Sequence, residues 1–165
     1  MPKTLYLIRH SYAESPMGKP DFDRTLTAEG VNTVRALGRY LIKSSFNPSV
    51  ILCSPANRAK ETVLNLIEEL EISDKNIHFE KVIYNASVRE LLKQVNSIAA
   101  KAEEVAVVGH NPAITYFAEY LTGESIGNMD PCGMVAISFE GIKWNEISQD
   151  SGRLLNYIHP KQLKT

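Results

Sequence analysis

Leu5-Tyr6-Leu7-Ile8-Arg9-His10-Ser11-Tyr12-Ala13-Glu14 changes character in one step, from a short apolar run to an arginine and a histidine. A short apolar run bounded in this way reads as a strand buried on both faces, the kind found in parallel sheets covered by helices. Polar side chains at its end stand where open α/β sheets take their ligands, in the crevice beyond the carboxyl ends of the strands. His10 is therefore a candidate nucleophile and Arg9 a candidate anion clamp.

Working outward, the same strand-then-polar pattern returns twice. Val50-Ile51-Leu52-Cys53 is a second buried strand and leads into Ser54-Pro55-Ala56-Asn57-Arg58. Glu104-Val105-Ala106-Val107-Val108-Gly109 is a third and leads into His110-Asn111-Pro112. Amphipathic helical stretches lie between and after these strands. Thr27 caps one whose buried stripe includes Val31, Val34, Leu37 and Leu41, and Asn47-Pro48 ends it. Ser54-Pro55 is expected to open the next, with serine as cap and proline at the first helical position. Ser87 and Glu90 form a capping box ahead of Leu91, Leu92, Val95 and Ile98. Asn111-Pro112 repeats the cap-plus-proline device, and Gly123 closes the helix that follows. Phe79–Tyr84 reads as a short edge strand. The remainder reads as β structure over 133–139, 142–147 and 153–158. The expected architecture is α/β, a single domain over residues 1–165 with a doubly wound, mostly parallel sheet and helices on both faces.

Composition narrows the function classes. A hydrophobic fraction of 44% over 165 residues is enough for a core without staples, so disorder is excluded. A net charge of -1 gives no overall attraction to nucleic acid or anionic lipid, so no nucleic-acid or membrane partner is expected. No run approaches the ~20 apolar residues of a membrane span. Cys53 and Cys132 are too few for a disulfide framework, which fits a reducing compartment. The opening Met1-Pro2-Lys3-Thr4 leads directly into a strand, and the expectation is an unexported, cytoplasmic protein.

With parallel strands, the three junctions fall on one rim. A single arginine there is ordinarily a surface ion-pair partner, and a single histidine at a strand end is ordinarily structural. Two arginines, two histidines and helix N-termini converging on one rim describe a phosphate pocket instead. No carboxylate or cysteine stands at metal-ligand spacing from either histidine, and no glycine-rich nucleotide loop is present, so no metal and no cofactor is expected.

Strand-Arg9-His10-small, Ser54-Pro55-Ala56-Asn57-Arg58-Ala59-Lys60-Glu61-Thr62 and Val108-Gly109-His110-Asn111-Pro112 in this order resemble the histidine phosphatase superfamily. The likeness runs from Leu5 to about Trp144. The short length and Arg24-Thr25-Leu26-Thr27 are most similar to the small SixA-type phosphohistidine phosphatases. The resemblance implies a phosphoglycerate mutase-like fold, His10 as phosphoryl acceptor, and Arg9, Arg58 and His110 around the phosphoryl oxygens. Arg24 is implied as a further phosphate contact.

Two departures matter. The family commonly has glycine or alanine where this chain has Ser11, whose hydroxyl is a candidate phosphate contact. Asn111, beside His110, is a candidate for orienting that ring. Larger members carry an acid in mid-chain that protonates a leaving alkoxide, whereas Val82-Ile83-Tyr84-Asn85-Ala86-Ser87 contains no carboxylate. Glu14, Asp23 and Glu80 are conceivable substitutes but read more simply as solvated charges. An alkoxide needs general-acid help that a phosphorylated imidazole does not, so the expected substrate is protein phosphohistidine. A general phosphomonoesterase is the runner-up, and a phosphate-binding module without activity is the alternative outside enzymes.

Overall fold

The computed structural model describes residues 2–163. Its frame is a six-stranded sheet of β1 (Lys3–Arg9), β2 (Val50–Cys53), β3 (Ile77–Phe79), β4 (Glu104–Gly109), β5 (Met134–Phe139) and β6 (Arg153–Ile158). The spatial order is β3-β2-β4-β1-β5-β6. The first four strands are mutually parallel, while β5 runs antiparallel to both β1 and β6. This is the doubly wound α/β sheet expected from the sequence.

Alternation along the strands divides the core. Leu5 and Leu7 of β1, with Val105 and Val107 of β4, face α3 (Val88–Asn96) and α4 (Ala113–Thr122). Tyr6 and Ile8, with Ala106 and Val108, face α1 (Ala28–Ile42) and α2 (Asn57–Leu70). Strands buried on both faces carry no polar alternation, which is why they read as continuous apolar runs. Cys53 lies in the second of these layers and is fully buried.

Register fixes the site. Ile8 pairs with Val108, and Val108 pairs with Cys53. Arg9 still pairs with Gly109, and the segments then leave the sheet, with His10 N–H donating to the Gly109 carbonyl at 3.0 Å and Ser54 N–H to that of Val108 at 3.1 Å. His10, Ser54 and His110 therefore emerge side by side. The loop before β5 backs this row, since Cys132 N–H reaches the carbonyls of both Arg9 and His10 at 3.0 Å.

Four local expectations are corrected. The second helix begins at Asn57, with Ala56 and not Ser54 at its N-cap position. Ser54 Oγ instead accepts from Ala56 N–H at 3.2 Å, closing a tight turn before the helix. At α4 the N-cap position is Pro112, and the Asn111 side chain caps nothing. Residues 79–84 are not a strand: β3 ends at Phe79 and a 3-10 turn follows at Lys81–Ile83. Residues 142–147 likewise form a 3-10 turn, Trp144–Glu146. That turn seats Trp144 in the core, where its indole N–H donates to the Ala102 carbonyl at 2.7 Å. Packing of one large aromatic overrides the β propensity of the flanking isoleucines. Thr27, the Ser87–Glu90 box and the left-handed Gly123 cap helices as expected.

Candidate active site

The His10 ring sets the chemistry. Its Nδ1 lies 2.8 Å from the Ser11 carbonyl oxygen. A carbonyl can only accept, so Nδ1 carries the proton and Nε2 of the neutral ring presents a lone pair. Burial pushes the His10 pKa down to about 4, assisted by Arg58, Arg9 and Arg24 and opposed by the bond to Ser11. The ring is thus neutral at pH 7, as a nucleophile must be.

The His110 ring lies 5.2 Å from that of His10, centroid to centroid. Its Nε2 is 2.7 Å from Ser54 Oγ, and its buried Nδ1 has no protein partner. Burial, then His10 and Arg58, push its pKa down to about 3, with Asp21 pulling the other way. Without an anion His110 is neutral. Ser54, which touches the His110 ring, is a residue that sequence reasoning placed in the wrong role, as a helix cap.

Arg9 ends β1, with Nη1 donating to the Met129 carbonyl at 2.8 Å, and burial lowers its pKa from the ordinary arginine value. Arg58, in the first turn of α2, is 6% exposed. Its Nη1 donates to the Asp21 carbonyl at 2.8 Å and its Nη2 to Asp21 Oδ2 at 3.0 Å. The Nε atoms of both arginines are buried and unpartnered. Together with His110 Nδ1 these are the buried side-chain nitrogens and oxygens lacking a partner among the described residues. Each such group costs ~1–3 kcal/mol, so their concentration at one site calls for a functional reason.

Arg24 joins the edge of this cluster, with Nε donating to the Glu14 carbonyl at 2.8 Å and Nη1 to Asp21 Oδ1 at 3.0 Å. Asn111 borders a cleft of about 200 Å³ beside His110, walled also by Tyr84 and Ala86. Its amide donates to Asn128 Oδ1 and the Met129 carbonyl and accepts from Thr115, so it braces the 128–129 loop rather than the His110 ring. Ser11 is not a phosphate contact. It is fully buried, and its hydroxyl donates to the Gly30 carbonyl at 2.8 Å, pinning β1 to α1.

The acid at the site is Asp21, not Glu14, Asp23 or Glu80. It comes from the exposed 3-10 turn Asp21–Asp23. The Tyr84 hydroxyl donates to its Oδ2 at 2.6 Å, and the Tyr84 ring stands edge-on to His110 with centroids 5.6 Å apart. That hydroxyl, then Arg24 and Arg58, holds the Asp21 carboxyl well below the usual carboxylate range. Neither residue carried a local signal: Asp21 sits in a polar loop, and Tyr84 reads as part of an apolar edge strand.

Among the described residues no group of three or more His, Cys, Asp and Glu is placed to hold a metal ion, and no helix is long and apolar enough to cross a membrane. A larger cavity of about 810 Å³ lies between α1 and β6. It holds none of the junction residues.

Residues 5–82 match the model of the histidine phosphatase superfamily (branch 1). An uncharacterised protein of Mycobacterium leprae is 25% identical over 167 residues, which covers 93% of this chain and 100% of that protein. The SixA phosphohistidine phosphatase candidate of Nakamurella multipartitia superposes with a TM-score of 0.83 at 27% identity, covering 97% of each chain. The protein histidine phosphatase SixA complexed with tungstate gives 0.85 at 18% identity, covering 98% of this chain and 99% of that one, a likeness of fold alone. The match over 5–82, which contains Arg9, His10, Arg24 and Arg58, and the SixA-type fold over nearly the whole length make this chain similar to the histidine phosphatase superfamily.

Proposed function

We propose that the protein is a metal-independent phosphatase that takes a phosphoryl group onto His10 Nε2 from phosphohistidine on a protein and then releases it to water. The observation that carries this reading is the fixed His10 tautomer. A carbonyl holds the proton on Nδ1, so Nε2 faces the phosphoryl group with its lone pair and no base is needed to activate it. Arg9 and Arg58 supply the positive charge that a loose phosphoryl transition state requires on its equatorial oxygens. Arg24 extends that field at the rim. A bound phosphoryl dianion reverses the balance at His110, drawing a proton onto a ring that burial otherwise keeps neutral.

The choice of phosphohistidine rests on the missing proton donor. Asp21 is the acid bonded to the cluster, and its three hydrogen bonds keep it ionised, so it has no proton to give an alkoxide. The SixA-type neighbours are named for this same substrate, which favours it further.

A base-quenched phosphoenzyme trap tests the proposal. Wild type and His10→Ala are exposed briefly to a phosphohistidine protein and, separately, to a sugar phosphate. Acid-labile, base-stable label on wild type alone, with phosphohistidine the better donor, is expected. Preferred labelling by the sugar phosphate would favour a general phosphomonoesterase. No label and no turnover from either would leave a phosphate-binding module.

A further inference from the structure

Asp21 is bonded too firmly to be an incidental surface acid. Its carboxylate accepts from Arg58 Nη2 at 3.0 Å, Arg24 Nη1 at 3.0 Å and the Tyr84 hydroxyl at 2.6 Å, while its carbonyl accepts from Arg58 Nη1 at 2.8 Å. Its side chain is nevertheless 48% exposed, and its charge is felt by His110. The charged and titratable groups that face it are Arg24, Arg58, Tyr84 and His110. A carboxylate offers about four acceptor positions, and three side-chain donors use three of them here. One remains on a side chain that is half exposed.

A fixed negative charge beside a site for dianions needs a reason, because it repels the group the arginines attract. We propose that Asp21 is a specificity-determining residue: it favours phosphoryl donors whose leaving group carries an N–H, such as the protonated imidazole of phosphohistidine, and disfavours donors bearing a second anion. This rests on the reading of His10 as acceptor from phosphohistidine.

The chemistry balances without an enzyme-borne acid. As the bond from His10 Nε2 to phosphorus forms, the phosphorus–nitrogen bond of the substrate breaks and its electron pair stays on that nitrogen. The other ring nitrogen already holds a proton, donated in a hydrogen bond to Asp21, so the imidazole departs neutral. His10 itself is built on the same plan, since the Ser11 carbonyl keeps Nδ1 protonated. When water attacks, its oxygen bonds to phosphorus, the pair returns to Nε2, and the released proton passes to phosphate or solvent. The Ser11 carbonyl thus serves the acceptor ring as Asp21 serves the donor ring.

The test compares wild type, Asp21→Asn and Tyr84→Phe on a phosphohistidine peptide, 4-nitrophenyl phosphate and phosphoglycolate, which carries a carboxylate. Asp21→Asn is expected to lower kcat/KM for the peptide about tenfold and to raise it for phosphoglycolate about tenfold. The alkaline limb of kcat for the peptide, which reports the bound complex, moves to lower pH. Tyr84→Phe loses one hydrogen bond to Asp21 but keeps its charge, so the ratio between donors changes by less than about threefold. A uniform loss on all three donors in Asp21→Asn, with the limb unmoved, would overturn the inference and leave Asp21 as a brace for the arginines. Wild type that hydrolyses the other donors and ignores phosphohistidine would overturn the functional reading, and the inference with it.

Discussion

At the scale of single residues the site is a set of side chains held away from their ordinary states. The His10 and His110 pKa values are pushed down to about 4 and about 3 from 6.5, so both rings are neutral in the folded protein over a range where the unfolded chain protonates them. The sign follows from proton uptake. Between about pH 6.5 and 4 the unfolded state binds more protons, so stability that is complete above 6.5 is lost progressively as pH falls. A urea midpoint that declines over this interval in wild type, and declines less steeply in His10→Asn, is the expected result. For the same reason the acid limb of kcat/KM, set by the free enzyme, lies near pH 4 and not 6.5. Ser11 shows the opposite case, a motif residue whose work is structural. Ser11→Ala removes the bond to the Gly30 carbonyl, which costs ~0.5–1.5 kcal/mol in urea unfolding. Its kcat should stay within about a factor of three, since the hydroxyl faces α1 and not the pocket. A loss of kcat with stability intact would return Ser11 to the pocket.

At the scale of elements, α1 is docked tightly against the loop after β1. A Cβ on Gly30, in the first turn of α1, would press into the Tyr12 carbonyl oxygen, which also accepts from Thr27 N–H at 3.0 Å. Gly30→Ala therefore forces the helix start off the loop that carries His10. A stability loss of ~1–3 kcal/mol is expected, with a fall in kcat that Ser11→Ala lacks. Measuring both variants by urea unfolding and steady-state kinetics separates movement of the element from loss of a bond. This packing also marks the limit of what the sequence discloses. Strands β1, β2 and β4 were legible because burial on both faces leaves an unbroken apolar run, and the three polar junctions were legible because register carries them to one rim. Thr27 and the Ser87–Glu90 box were legible because capping is local. Ser54, Asn111, Tyr84 and Asp21 were misread or missed because their partners lie far along the chain. Tyr84 and Asp21 are 63 residues apart, and no periodicity or spacing records a meeting of two loops. The turn at Trp144–Glu146 escaped for a similar reason, since it is dictated by packing that only the assembled sheet and α3 define.

At the scale of the whole molecule the pocket is a repulsive assembly that folding must hold together. Three arginines and two neutral histidines are gathered from segments around residues 9–24, 54–58 and 110, with Asp21 the anion bonded among them. The chain as a whole carries a formal charge of only -1, so this field is local and not a property of the surface at large. Burying like charges with unpartnered donors opposes folding, and an oxyanion relieves both costs at once. Because the donors belong to β1, α2 and the junction between β4 and α4, relief at the pocket stabilises the entire fold and not one loop. A tetrahedral oxyanion such as tungstate, at a hundred times its dissociation constant, adds ~2.7 kcal/mol to stability and raises Tm by ~5–10 °C for a chain of this size. Arg58→Lys separates charge from geometry. It retains the cation but loses the planar fork and its bond pattern with Asp21, so the tungstate-induced rise in Tm should fall to less than half. Calorimetry of both proteins with and without tungstate measures this directly. An undiminished rise in Arg58→Lys would place the oxyanion away from Arg58 and break the link between the buried arginine and phosphoryl binding.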